Sequence, residues 1–220
     1  MTMIRAVEEK DTLSEKEALQ KAPSRLQSLQ QALIYLKRSN LVHELPLARE
    51  AAIRVLEVGC LGGYTLEQFA HHFVNAQLVG LERSAHWLTK TRASLEDIKH
   101  RVDLLEAPYT AQSFPVKHSF DVLLFSYQLS KSYIPWREQL LQAYEDLKPG
   151  GLIVVLDFYS ISTQLLAKHF EKHQRVAQPQ LLEELQSHFA PLSLDIYKAY
   201  FGLWEYFSFV GIKPYGPQAS

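Results

Sequence analysis

Residues 58–66 read VGCLGGYTL and close the apolar run IRVLEVG over 53–59. Gly59, Gly62 and Gly63 fall at the end of a run rich in β-branched residues. That pattern predicts a buried strand ending in a loop whose backbone comes close to another group. The segment YTLEQFAHHFVN (64–75) follows at once, with apolar residues at 66, 69, 70 and 73, and is expected to be a helix. Strand, glycine loop and helix in that order open a βαβ unit.

The same alternation runs on. QLVGLE (77–82) predicts a second strand, and SAHWLTKTRASLEDI (84–98) a second helix with Ser84 as its N-cap. RVDLLEA (101–107) and FDVLLFSY (120–127) predict the third and fourth strands. WREQLLQAYEDLK (136–148) predicts a helix stopped by Pro149-Gly150-Gly151. GLIVVLDF (151–158) is almost wholly apolar, as expected of a strand covered on both faces. Helical stretches over 163–173 and 179–189 come next. LSLDIYKAYFG and LWEYFSFVGIKP then read as two strands meeting at Gly202. The predicted fold is α/β: a doubly wound, mostly parallel seven-stranded sheet with helices on both faces and a C-terminal antiparallel hairpin.

Ahead of this, Leu26, Leu29, Leu33, Leu36 and Leu41 lie at near-helical spacing in 24–43. Residues 1–45 are therefore expected to form a helical arm or lid, and 46–220 the main domain. The 220 residues suffice for one well-buried core. With 23 Lys and Arg against 24 Asp and Glu, nothing points to nucleic acid. No stretch is long and apolar enough for a membrane span, which leaves peripheral membrane contact open. The mixed-charge N-terminus does not read as a secretory signal, and the single cysteine, Cys60, fits a reducing cytoplasm. The oligomeric state is not legible.

Ligands of a doubly wound sheet sit at the carboxyl ends of its strands. Glu82 ends the second strand about 20 residues after Gly59, the place of a carboxylate that accepts hydrogen bonds from ribose hydroxyls. A dinucleotide loop, G-x-G-x-x-G, is disfavoured, because its later glycines fall on Leu61 and Tyr64. A sulfonium cofactor carries no phosphate and does not need that geometry.

RVLEVGCLGGYT resembles the first motif of the class I, Rossmann-like methyltransferases that use S-adenosylmethionine. Glu57, Gly59 and Gly63 match its pattern; Leu61 departs from it and Gly62 adds a glycine one place later. LVGLERSAHWLTKTR resembles the family's second strand and helix, and LLEAPY (104–109) its third motif. SFDVLLFSYQLS resembles the fourth, and LKPGGLIVVLDF the fifth. The resemblance implies S-adenosyl-L-methionine as cofactor, held by Glu57, Gly59, Cys60, Gly62, Gly63, Glu82, Arg83, Glu106, Ala107 and Ser126. Tyr35, in the preceding YLKR, is expected near the cofactor's carboxylate.

The acceptor is less legible. FSYQLSKSYIPW (125–136) and VVLDF are similar to N-methyltransferases acting on the head group of diacylglyceryl homoserine betaine lipids. The chain departs from that pattern at Lys131-Ser132-Tyr133. The expectation is methyl transfer to an amine of a small molecule or lipid head group. O-methylation of a quinone or phenol, or a non-catalytic cofactor-binding module, are the alternatives. Tyr127, Tyr133, Trp136 and Asp157 are expected to line the acceptor pocket, the aromatics favouring a cationic amine and Asp157 holding it. Tyr127 and Asp157 are the catalytic candidates. No histidine pattern points to a metal; His169 and His173 read as a solvated helix face.

Overall fold

A computed structural model describes residues 41–131, 133–199 and 202–216. The candidate Tyr35 and most of the expected arm lie outside them. Seven strands form one sheet in the order β3-β2-β1-β4-β5-β7-β6. The strands are β1 (Arg54–Val58), β2 (Gln77–Glu82), β3 (Val102–Glu106), β4 (Phe120–Ser126), β5 (Leu147–Ile161), β6 (Ala190–Ala199) and β7 (Trp204–Ile212). Strands β1 to β5 pair in parallel. β7 runs antiparallel to both β5 and β6. The strand order reverses between β1 and β4, and in such sheets the crevice for ligands opens there.

The helices are α1 (Tyr64–His72), α2 (Ala85–Ser94), α3 (Trp136–Asp146), α4 (Gln164–Lys172) and α5 (Pro179–His188). α3 and α5 cover one face. Leu140 and Ala143 of α3 and Leu181 and Leu185 of α5 pack with Leu123, Phe125, Val155, Phe207 and Phe209 of the sheet. On the other face, Leu41, Val42 and Leu45 meet Phe69 of α1, Leu124 of β4 and Val154 and Leu156 of β5 around a small apolar cavity. Residues 41–43 are helical. The end of the segment predicted as an arm is therefore buried in the domain's core. Among the described residues no helix is long and apolar enough to cross a membrane.

Several boundaries differ from expectation: α1 ends at His72, three residues early, β5 runs on to Ile161, and β6 begins at Ala190, two residues early. α2 ends at Ser94, and a 3-10 turn over Glu96–Arg101 replaces its expected last turn. α3 ends at Asp146, two residues early. β5 already begins at Leu147, which pairs with Phe120, and the next pair is Val122 with Leu152. Pro149-Gly150-Gly151 is thus a kink inside a strand, not a turn before one. Gly150 takes φ +77°, which glycine accepts without steric cost. The kink is stitched to β7's end by Gly150 N–H to Lys213 O (2.9 Å) and Lys213 N–H to Gly151 O (2.9 Å). Ser84 does cap α2, its hydroxyl accepting from Trp87 N–H at 3.4 Å.

Candidate active site

The loop after β1 is built by left-handed glycines. Gly59 (φ +76°) and Cys60 send their N–H groups to Leu81 O at 2.7 and 3.2 Å. This ties the loop to β2 one residue before Glu82. Leu61–Gly63 form a 3-10 turn, with Gly62 at φ +73° and Gly63 at φ +79°. Ser94 at the end of α2 donates to Gly62 O at 2.6 Å. Leu61 is not among the positive-φ residues, so its position accepts any side chain. The departure at Leu61 therefore leaves the turn intact, because the left-handed positions are 62 and 63. A methyl group on Gly63 would lie 3.0 Å from Leu95 and Ser94, while one on Gly62 would meet nothing within 4 Å. Gly62 is the glycine that faces open space.

Beneath the loop, Glu57 and Glu82 are both buried. Glu82 Oε1 accepts Ser84 N–H at 3.0 Å. Its Oε2 is buried and has no hydrogen-bond partner among the described residues. Leaving a carboxylate oxygen so placed costs free energy unless a ligand donates to it. Cys60 is 2% exposed. Burial pushes its thiol well up, and the carboxylates of Glu57 and Glu82 push it further. It is a packing residue, with no route to a thiolate nucleophile.

Glu106 pairs with Glu82 in register at the end of β3 and is exposed, and Ala107 N–H reaches Glu82 O at 3.2 Å. The guanidinium of Arg83 lies 5.3 Å from the ring centroid of Tyr133, linking the loop after β2 with the loop after β4. The ends of β1, β2 and β3 thus bring the expected cofactor residues Glu57 to Gly63, Glu82, Arg83, Glu106 and Ala107 together. Ser126, at the end of β4, is buried and borders the apolar cavity under residues 41–45.

The acceptor side is organised differently from expectation. Asp157 is fully buried, and its Oδ2 accepts Leu129 N–H (2.8 Å) and Ser130 N–H (3.1 Å). Its Oδ1 accepts Phe158 N–H at 2.8 Å. Burial raises its carboxyl above the usual range, against the pull of these donors and of Arg175. The expected grip of Asp157 on an ammonium is therefore corrected: the carboxylate is spent on the loop after β4. Trp136 is also reassigned, because it opens α3 within the hydrophobic core.

Tyr127 does stand at the strand end, at φ +51°, with its ring 5.2 Å from Phe158 and 6.3 Å from Tyr206. Tyr206 stacks on Tyr197 at 5.2 Å. Arg175 donates to Tyr127 O and lies 3.4 Å from Ser130 Oγ, and Val176 N–H bonds Ser130 O at 2.8 Å. Arg175, Phe158 and Tyr206 were not among the expected site residues. Only Tyr206 carried a signal, as part of the aromatic run of the hairpin; its pairing with Phe158 across β5 and β7 did not. Among the described residues no group of three metal-ligating side chains converges.

A model of the methyltransferase domain family matches residues 55–151. The malonyl-acyl-carrier-protein O-methyltransferase of Bacillus cytotoxicus is 26% identical over 131 residues, covering 57% of this chain and 42% of that protein. The chain thus spans less than half the length of this curated relative. Burkholderia thailandensis 1,6-didemethyltoxoflavin-N1-methyltransferase, solved with S-adenosylhomocysteine, superposes with a TM-score of 0.69 at 16% identity, covering 97% of this chain and 90% of that one. Haemonchus contortus phosphoethanolamine N-methyltransferase 2 gives 0.68 at 14% identity, covering 81% and 52%. Geranyl diphosphate C-methyltransferase from Streptomyces coelicolor gives 0.65 at 11%, covering 81% and 80%. The mostly parallel sheet with its β5-β7-β6 end is the Rossmann-like fold of these methyltransferases.

Proposed function

We propose that the chain is an S-adenosylmethionine-dependent methyltransferase acting on an amine, borne by a small molecule or a lipid head group. One observation carries the cofactor reading: the buried, unpartnered Oε2 of Glu82 lies at the end of β2, beside a loop with its left-handed Gly62 open to space. The residues present fit the group. Glu82 would accept from the ribose hydroxyls, the backbone of Gly59–Gly63 would receive the amino-acid part, and Glu106 and Ala107 would border the adenine. Bound there, S-adenosylmethionine supplies a methyl group activated on a sulfonium.

The chain's own residues hold, orient and shield. Tyr127, Phe158 and Tyr206 offer aromatic faces at the carboxyl ends of β4 and β5, which suit a cationic amine. Tyr133, with Arg83 at 5.3 Å and Lys131 at 5.9 Å from its ring centroid, joins the loop after β2 to the loop after β4. An amine needs only to lose its proton before attack, so no dedicated base is required, and alignment supplies much of the rate. The curated relative is an O-methyltransferase, and this supports oxygen as the second reading.

Calorimetry with S-adenosylhomocysteine tests the cofactor. Micromolar binding is expected, and none at millimolar ligand sinks the proposal. Incubation with labelled S-adenosylmethionine and panels of amines, phenols and lipid extracts then separates nitrogen from oxygen acceptors.

A further inference from the structure

The outer side of α4 carries a pattern that the catalytic reading does not use. Phe170 points inward, 5.2 Å from Phe158 and 5.5 Å from Trp204 by ring centroids, and anchors the helix on β5 and β7. Leu165, Lys168, His169 and Lys172 follow helical spacing on the opposite side and are all exposed. Leu165 is 82% exposed. Glu171 lies at the flank of this face and is the one acid in the helix.

A second apolar group stands at the same rim. Ser162 N–H and Oγ donate to Leu203 O at 3.0 and 2.7 Å, holding the β6–β7 turn against the start of α4. Leu203 is 47% exposed. Because β7 is antiparallel to β5, this turn lies at the carboxyl end of the parallel strands. The aromatic cluster of Tyr127, Phe158 and Tyr206 is at that end too.

We infer that this rim, Leu165 and Leu203 with Lys168 and Lys172, rests on an anionic lipid surface. Lysines near such a surface gain from its negative potential, and leucines gain by entering the head-group boundary. Charge complementarity favours an anionic surface, because Lys168 and Lys172 stand exposed beside Leu165 and Glu171 is the helix's one acid; an acidic protein with an apolar patch would instead leave vesicles unbound. The surface stands on its own geometry, while its consequence, a head group delivered to the aromatic end of β4 and β5, rests on the function proposed above. The segment following α4 bonds the loop after β4 through Arg175, so contact at α4 lies one link from the acceptor side.

The test is flotation of the full chain with vesicles of phosphatidylcholine alone or mixed with phosphatidylglycerol. Binding to the mixed vesicles and not to the neutral ones is expected. Leu165→Ser with Leu203→Ser, and separately Lys168→Gln with Lys172→Gln, should each weaken it roughly tenfold or more. Leu141→Ser, an exposed leucine on α3, should change nothing. No binding to anionic vesicles overturns the inference. Binding lost with the lysines and kept without the leucines also overturns it, in favour of a polyanionic partner. Circular dichroism on every variant reports folding and calorimetry with S-adenosylhomocysteine reports the cofactor reading, so vesicle binding by a folded chain that binds no cofactor would sink only the latter.

Discussion

The carboxylate of Asp157 and the guanidinium of Arg175 hold one loop through different atoms: Asp157 takes the N–H groups of Leu129 and Ser130, and Arg175 gives to Tyr127 O. Their partners bracket Gln128, whose side chain closes over Gly59. Asp157→Ala would take this acceptor from three buried N–H groups, those of Leu129, Ser130 and Phe158, at a cost of roughly 3 kcal/mol or more. Arg175→Ala should cost about 1 kcal/mol, since its side chain is partly exposed. Both should speed amide exchange over 127–131 more than elsewhere. Unchanged protection there would refute the clamp.

Glu82→Gln should weaken S-adenosylhomocysteine by about tenfold or more, because a charged acceptor for ribose hydroxyls becomes a neutral one. The unfolding midpoint should hold or rise, since a buried carboxylate oxygen with no internal partner is removed. Calorimetry beside a urea titration checks both halves. Equal affinity in the variant would end the ribose assignment.

Gly62 and Gly63, the two left-handed glycines of the 3-10 turn, should respond differently to a methyl group. Each alanine pays about 1 to 2 kcal/mol for its backbone conformation. Gly63→Ala must also displace Leu95 or Ser94, so its loss of stability should be the larger. Gly62→Ala projects its methyl into open space, so its effect should fall on cofactor affinity. Leu61→Gly, at a negative-φ position, should leave affinity within about threefold and lower stability by about 0.5 to 1 kcal/mol.

Cys60 should resist alkylation in the native chain. Its thiol is buried and held protonated by burial and by Glu57 and Glu82. Iodoacetamide followed by mass spectrometry should label it only once denaturant unfolds the protein. Rapid native labelling would show the loop to be open in solution.

Lys213 predicts a pH dependence. It is 4% exposed, and burial lowers its ammonium below the usual 10.5. Its Nζ donates to the carbonyls of Tyr144 and Leu147 at the end of α3. Between the lowered value and 10.5, the unfolded chain binds more protons than the folded one, so stability rises with pH there and is lost as pH falls through the folded value. Compared with Lys213→Met, the wild type should therefore gain in urea midpoint on going from about pH 7 to about pH 10. Parallel curves would count against the buried ammonium.

The strand ladder was legible because each strand is a short apolar run with its own stop signal. Register was not. Pro149-Gly150-Gly151 reads as punctuation between elements, and only the pairing of Leu147 with Phe120 turns it into a kink within β5. The cofactor side could be read because its residues sit on consecutive strand ends at family spacing. The acceptor side could not, because Arg175 reaches Tyr127 from a connector far along the chain, and sequence spacing says nothing of such contacts. Asp157 was expected at a strand end and lies inside β5, one residue past its last pair with β4. That its carboxylate turns toward backbone amides depends on the path of the loop after β4, which the residue types do not encode.

The placing of β7 between β5 and β6 has a consequence for how the chain is made. Synthesis delivers β6 before β7, yet among the described residues β6 pairs with β7 alone. Until residues 204–212 leave the ribosome, β5 keeps an unpaired edge along LIVVLDF (152–158), the kind of apolar edge that recruits other chains. Closure of the sheet is then a single late event in which one strand satisfies two edges at once. Slow translation beyond β6 should prolong exposure of that edge, and the burden on chaperones should concentrate in the interval before β7 arrives.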